Sequence, residues 1–407
     1  MATTVQTSEP GTAGESLPLS GITVISCEQA VAAPFASRQL ADLGARVIKV
    51  ERPGVGDFAR GYDTTVNGLA SHFVWINRSK ESLALDLKHP EGIRILRELI
   101  GSADVFIQNF APGAADRLGL GAEELRATNS RLIHASISGY GTDGPYRDAK
   151  AYDALVQAEA GLVSVTGTEE HPAKTGISTA DIAAGMYTYS GILTALFNRE
   201  RTGEGATLEI SLFDSLVEWM GYPLYFTRYG GTRPTRAGTS HAAIAPYGTF
   251  TCGDGTQIML AIQNEREWER FAVQVLDRPD MVTDERFDRA AHRFAHRGEL
   301  QGIIEGAFST LTGEACDELL ESAKVAHSRQ RDMSEIADHP QLTERDRWRE
   351  VATPAGPIPM LIPPVEMSGV EPRLDPIPAV GEHSETILGS LGLDAETIES
   401  LHGQGVI

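Results

Sequence analysis

An aspartate stands where a loop of small residues gives way to a long helical pattern. In Gly176-Ile177-Ser178-Thr179-Ala180-Asp181-Ile182-Ala183-Ala184-Gly185, Asp181 is the only ionisable side chain. Free N–H groups and the dipole at a helix start can hold a carboxylate ionised. Small neighbours leave room for a ligand. An ionised, accessible carboxylate can act as a covalent nucleophile. Aspartate at such a place also serves as a helix cap, which is its commoner use. These ten residues alone leave both readings open.

A second string, Gly139-Tyr140-Gly141-Thr142-Asp143-Gly144, matches the spacing of a dinucleotide-binding loop and follows a strand pattern. Pro145-Tyr146-Arg147-Asp148 comes next, not the apolar start of a helix. The third glycine therefore has no helix to seat on the sheet. The spacing reads better as a turn in which glycine lets the backbone approach a ligand or another backbone closely. A nicotinamide oxidoreductase is thus the weaker reading. The chain has no Walker loop, HExxH, EF-hand pattern or GxSxG elbow. Cys27, Cys252 and Cys316 are odd in number and far apart. That argues against a disulfide framework or a CxxC metal site and fits a reducing, cytoplasmic setting.

The formal net charge is −21, which disfavours nonspecific nucleic-acid binding. An anionic ligand would need locally placed Lys and Arg. With 41% hydrophobic and 22% charged residues the composition is that of a soluble globular protein. No apolar run approaches the roughly 18 residues of a membrane span. Residues 1–19 lack a basic start and an apolar middle, so they read as a flexible tail rather than a secretory signal.

The elements that must position Asp181 follow an alternating pattern. Strand patterns cover 22–25, 46–50, 82–87, 104–107 and 131–137, with helical patterns at 33–43, 90–100 and 122–128 between them. This alternation predicts an α/β fold with a mostly parallel sheet covered on both faces. Ligands of such sheets sit in the loops that follow the strands. A long helix is expected over 181–201, ended by Gly203, then a strand over 207–212. Beyond about Gly221 the pattern changes to two strands around the Cys252–Thr256 turn, then helices over 265–275 and 299–311. Residues 352–378 hold eight of the 21 prolines and read as an extended connector. A final helix is expected over 384–403. The expected division is two domains, the second a smaller α+β domain at 222–333.

Several strings, taken together and in order, resemble the family III CoA-transferases. They are Asp181 within Gly-x-x-x-x-Asp-x-x-x-Gly, the Gly139–Pro145 turn, and Ala151-Tyr152-Asp153. Asp42–Glu51, Leu85-Asp86-Leu87-Lys88, Asn109-Phe110-Ala111-Pro112-Gly113, Arg199–Gly205 and Gly381-Glu382-His383 add to them. The resemblance runs from about residue 20 to the C-terminus. It implies a Rossmann-like large domain built from both ends of the chain, 20–221 and 334–407, an interlocked homodimer, acyl-CoA and a free carboxylic acid as substrates, and no metal or permanently bound cofactor. It puts the nucleophile on Asp181. The racemase branch of the family pairs its aspartate with a histidine where this chain has Tyr152. Tyrosine, with an ordinary pKa of about 10, is a poor base at neutral pH, so the departure favours transfer over racemisation.

The resemblance also implies a CoA-binding set. Arg52, Lys88 and Arg117 would meet phosphates, although each could instead be a solvated charge or a surface ion-pair partner. Asn109 and Phe110 would line the adenine or pantetheine channel. Lys150 and Tyr152 would lie along the thioester end. Val31, Ala32, Leu85 and Ala111 complete the set. Val31 replaces the active-site glutamine of formyl-CoA transferases, which counts against formyl-CoA and oxalate. Arg236-Ala237-Gly238-Thr239-Ser240-His241 resembles the branch that acts on dicarboxylates. His241 or Arg236 would then meet the second carboxylate of a succinate, glutarate, itaconate, mesaconate or citramalate group. Val325-Ala326-His327-Ser328-Arg329 departs from the family's usual string.

Overall fold

Six short runs, most of them rich in Val, Ile, Leu and Ala, form the strands of one parallel sheet. They are β1 (Thr23–Cys27), β2 (Arg46–Glu51), β3 (Lys80–Ala84), β4 (Val105–Gln108), β5 (Ile133–Ser138) and β6 (Thr207–Ser211). The computed structural model describes residues 17–407. The strand order is β3-β2-β1-β4-β5-β6, and every neighbour pairs in parallel. The order reverses between β1 and β4, so a crevice is expected beyond their carboxyl ends. Strands β1, β2 and β4 are almost wholly buried, as a sheet covered on both faces requires. Ile25, Ile48, Leu83, Leu96 and Phe106 lie in its core, as do Ile387, Leu401 and Ile407 from the far end of the chain.

The described residues form two compact units. One comprises the described residues up to Ala160, Gly176–Met220 and Asp346–Ile407, and contains the sheet. The other comprises Gly161–Thr175 and Gly221–Arg345. Its antiparallel sheet is β7 (Tyr247–Thr251), β8 (Gln257–Ala261) and β9 (His327–Arg329), over a core that includes Trp268, Phe271, Phe287 and Phe308. The divergent 325–329 stretch thus supplies its edge strand. Residues 161–175 belong to this unit because Thr168 bridges Ala237 and Glu169 pairs with Arg233 and Arg236. Those pairings are remote in sequence, so the expected boundaries at 222–333 omit them.

Other differences from the sequence reading have local causes. The third strand runs from Lys80 to Ala84 rather than over 82–87. Its charged start is buried because the Lys80 ammonium meets Glu28, 2.7 Å away. Residues 1–16 of the expected tail lie outside the described residues. Leu19 is buried, and its N–H donates to the Leu43 carbonyl at 2.9 Å, so residues 17–19 are not part of a tail. The final helix is two, Ser384–Ser390 and Ala395–Gly403, with Gly392 between them at φ +87°. Helices at Leu212–Trp219 and Gly221–Gly230 replace an unassigned stretch. A hairpin of β10 (Trp348–Val351) and β11 (Ile358–Leu361) interrupts the proline-rich region.

The long helix runs from Thr179 to Thr202 and packs on helix α1 (Ala32–Asp42). A Cβ on Gly185 would lie 2.7 Å from the Ala32 carbonyl oxygen and 3.0 Å from the Phe35 ring. Gly185→Ala is therefore expected to destabilise the protein by about 1–3 kcal/mol in urea unfolding.

Candidate functional site

The free N–H groups at the start of the Thr179–Thr202 helix are taken by another residue, Asp153. Its Oδ1 accepts from the N–H of Ala180 at 2.8 Å and of Asp181 at 3.3 Å. Its Oδ2 accepts from the buried Gln157 amide at 2.7 Å. The cap reading of Asp181 therefore gives way to Asp153. The Asp181 carboxylate itself makes no hydrogen bond among the described residues. Ala180, Ala183 and Ala184 around it are fully buried. Asp181 and Gly185 are one turn apart, so they share the helix face that meets the start of α1.

Burial raises the Asp181 pKa, and the negative charge of Asp153 raises it further, to about 7. This corrects the expectation that the helix start keeps the carboxylate ionised. The dipole is answered by Asp153, and desolvation outweighs what remains. Tyr62 lies within electrostatic reach of Asp181 and Tyr152. Its hydroxyl is raised by burial first, then by Asp57, Asp181 and Tyr152. Its ring stands edge-on to His72, with centroids 5.5 Å apart. Tyr152 caps no N–H with its side chain and is 68% exposed.

Sequence reasoning missed Asp153 and Tyr62. Asp153 stands in the quoted Ala151-Tyr152-Asp153 string, yet its role depends on reaching a helix that starts 26 residues later, at Thr179. Nothing in the sequence marks Tyr62.

At the carboxyl ends of β1 to β4 lies a cavity of about 220 Å3. Arg52, Leu85, Lys88 and Phe110 line it, with Glu28 and Asp57. Phe110, Ala111 and Arg117 line a second hollow of about 390 Å3 beside β4 and β5. Val31 and Ala32 are each 3% exposed and line neither cavity. Asn109 is committed to the protein: its amide accepts from the Gln29 N–H at 3.0 Å and donates to the Gln29 carbonyl at 2.9 Å. Lys150 is exposed before Tyr152 and lines neither cavity. Arg52, Lys88, Arg117 and Lys150 form no ion pair among the described residues, although acidic groups are in excess.

The Gly139–Gly144 string is a turn, as expected. A Cβ on Gly139 would come within 2.2 Å of the Ala151 Cβ, and Gly141 and Gly144 have φ of +97° and +77°. In the other unit, the Arg236 guanidinium donates to the carbonyls of Ser164, Thr168 and Glu169 and to the Glu169 carboxylate. His241 accepts the Ala243 N–H on Nδ1 and stacks on Tyr247, with centroids 5.1 Å apart. No group of His, Cys, Asp and Glu among the described residues is arranged to hold a metal ion.

The sequence profile of CoA-transferase family III spans residues 19–384. The chain belongs to this family. Succinyl-CoA:glutarate CoA-transferase of Mus musculus is 33% identical over 397 residues, covering 96% of this chain and 90% of its own length. Acetyl-CoA:oxalate CoA-transferase of Acetobacter aceti is 35% identical, covering 87% and 90%. A solved CAIB/BAIF family protein from Brucella suis superposes with a TM-score of 0.83 at 32% identity, covering 93% of this chain and 100% of that one. The chain is an enzyme, a family III CoA-transferase, and this family's substrates are CoA thioesters.

The position of Asp181 has a stability consequence. Its folded pKa, about 7, stands above the ordinary 3.8, so the folded state binds a proton more tightly than the unfolded chain. Stability is lost as pH rises between those values, and the full penalty is present above them. Asp181→Asn is expected to unfold at least about 2 °C higher than the parent at pH 8, with the gap closing near pH 4. Thermal unfolding followed across that range checks it.

Proposed function

We propose that this CoA-transferase moves CoA from a donor acyl-CoA to a short dicarboxylate through covalent intermediates on Asp181. The observation that supports the reading is a partly buried carboxylate with no hydrogen-bond partner among the described residues, its pKa raised to about 7. The carboxylate attacks the thioester carbonyl, giving an acyl–aspartyl anhydride and CoA thiolate. The thiolate attacks the aspartyl carbonyl, giving an aspartyl-CoA thioester and releasing the donor acid. The acceptor carboxylate attacks that thioester, forming a new anhydride and freeing the thiolate. The thiolate then takes the acceptor's acyl group and restores Asp181. Backbone N–H groups of the nearby turns would stabilise each oxyanion.

Arg52, Leu85, Lys88 and Phe110 are the proposed holders of the CoA nucleotide, with Ala111 and Arg117 beside them and Lys150 and Tyr152 toward the thioester. Arg52, Lys88 and Arg117, which form no ion pair among the described residues, suit the phosphates of an anionic substrate in an acidic protein. For the far carboxylate of the acceptor, His241 is preferred to Arg236. Arg236 is committed to protein carbonyls and Glu169, whereas His241 keeps Nε2 to donate. The proposed acceptors are succinate, glutarate, itaconate, mesaconate and citramalate. Oxalate joins the panel because a relative is named for it.

We also propose a homodimer in which a second copy covers the Gly221–Gly230 helix. No residue of that helix is buried, and Tyr222, Tyr225, Phe226 and Tyr229 are all exposed. Cys27, Cys252 and Cys316 are free and buried, which supports a reducing compartment and the cytoplasm as the proposed location. No described helix is long and apolar enough to cross a membrane.

Incubation with acyl-CoA followed by hydroxylamine or borohydride should modify the peptide bearing Asp181, as read by mass spectrometry. Asp181→Ala should lose at least about a thousandfold in exchange of labelled acid into thioester. Full activity in that variant would rule the mechanism out. Because the nucleophile must be deprotonated, kcat/KM for the donor should rise with pH through an apparent pKa of about 7. A flat profile between pH 5 and 9 would contradict the assignment. His241→Ala should raise KM for dicarboxylates about tenfold and leave that of a monocarboxylate unchanged.

A further inference from the structure

The turn between β1 and α1 is Glu28-Gln29-Ala30-Val31, and it contains no glycine. It nevertheless passes through the left-handed region, because Ala30 has φ +60°. That conformation is natural to glycine and strained for alanine. Side chains from elsewhere hold the turn in place. Lys49 Nζ donates to the Glu28 carbonyl at 3.4 Å. Asn109 pairs with both the N–H and the carbonyl of Gln29. The Ala30 N–H donates to Asp57 Oδ1 at 3.2 Å.

Asp57 is itself fixed from three sides. Its Oδ1 also accepts the Ala59 N–H at 2.9 Å, its Oδ2 receives Lys49 Nζ at 2.8 Å, and its own N–H donates to Glu51 at 2.9 Å. The Lys49 side chain is wholly buried, as is that of Glu28, its second acidic partner. A buried, doubly anchored carboxylate is a rigid post. Its hydrogen bond to the turn falls on the strained residue.

We infer that Asp57 is a positioning residue for CoA binding: it holds Ala30 in the left-handed conformation and so fixes the turn whose Glu28 and Gln29 line the crevice. The inference rests on the reading of the β1–β4 crevice as the CoA site. A turn that reaches its binding shape only part of the time binds more weakly in proportion. Without Asp57, Ala30 relaxes toward negative φ and the competent shape becomes rare. With glycine at position 30, the left-handed shape needs no clamp.

The test is a cycle of Asp57→Ala, Ala30→Gly and the double variant, with KM for the CoA thioester, kcat and melting temperature measured for each. Asp57→Ala, which leaves no side-chain acceptor for the Ala30 N–H, should raise KM about tenfold with kcat within about threefold of the parent, since the fraction of competent turns is what falls. Adding Ala30→Gly should return KM to within about threefold of the parent. A purely structural role would lower the melting temperature without this rescue. Ala30→Val, with Asp57 intact, should also raise KM, and it gives a result even if Asp57→Ala does not fold. An unchanged KM in folded Asp57→Ala, no rescue by glycine, or an unchanged KM in Ala30→Val would each overturn the inference. Calorimetry of the parent with free CoA separates the two readings. No CoA binding there removes the crevice assignment, whereas CoA binding with a flat cycle removes only the role of Asp57.

Discussion

The carboxylate of Asp153 accepts the two backbone N–H groups that open the Thr179–Thr202 helix, and much of the site depends on that choice of partner. Had Asp181 folded back to cap its own helix, it would be a satisfied acceptor with a depressed pKa and little reactivity. With Asp153 in that place, the Asp181 carboxylate is left partly buried, without a hydrogen bond among the described residues, and beside a like charge. Each of these factors raises the free energy of its ionised form. The group is thereby costly to the fold, and in the proposed mechanism that cost is exchanged for a reactive carboxylate.

The second constraint is electrostatic and lies under the carboxyl end of the sheet. Glu28, Lys49 and Lys80 have fully buried side chains and, with Asp57, form a balanced set of two anions and two cations. Burial would raise Glu28, but Lys80 and Lys49 outweigh it and hold its carboxyl at about 2. Such a set adds little net stability but defines one geometry, because removing any member strands a buried charge. Lys80 also donates to the Pro34 carbonyl, and Ser37 to Glu28. The first turn of α1 is thus tied to β1 and β3. Gly185 then lets the Asp181 helix approach that same turn.

Much of the fold was legible in the sequence, because short apolar runs alternating with amphipathic segments leave few alternatives to a parallel sheet. The site was legible in part. Asp181, Leu85, Lys88 and Phe110 stand in strings that mark themselves, Arg52 directly follows one, and all but Asp181 line one cavity. Asn109 stood in such a string too, yet its amide is spent on Gln29 rather than left open to a ligand. Asp153, Asp57 and Tyr62 were invisible as partners because each acts on a residue far away in the chain. The start of β3 shifts from 82 to Lys80 for a related reason: Lys80 and Glu81 look like a strand boundary until the buried partner of Lys80, Glu28, is known. The membership of residues 161–175 in the second unit depends likewise on Glu169 meeting Arg233 and Arg236.

The central claim is that Asp181 carries the acyl group and the CoA in turn. Oxygen bookkeeping tests it most directly. In each cycle one Asp181 oxygen leaves with the donor acid, and one oxygen of the acceptor carboxylate is left on Asp181. A single turnover with an acceptor labelled with 18O in both carboxylate oxygens, followed by digestion and mass spectrometry, reads that exchange. The account predicts one 18O atom in the peptide containing Asp181 and none in the rest of the chain. Completed turnover with no label on Asp181 would mean that the acids exchange CoA without passing through it.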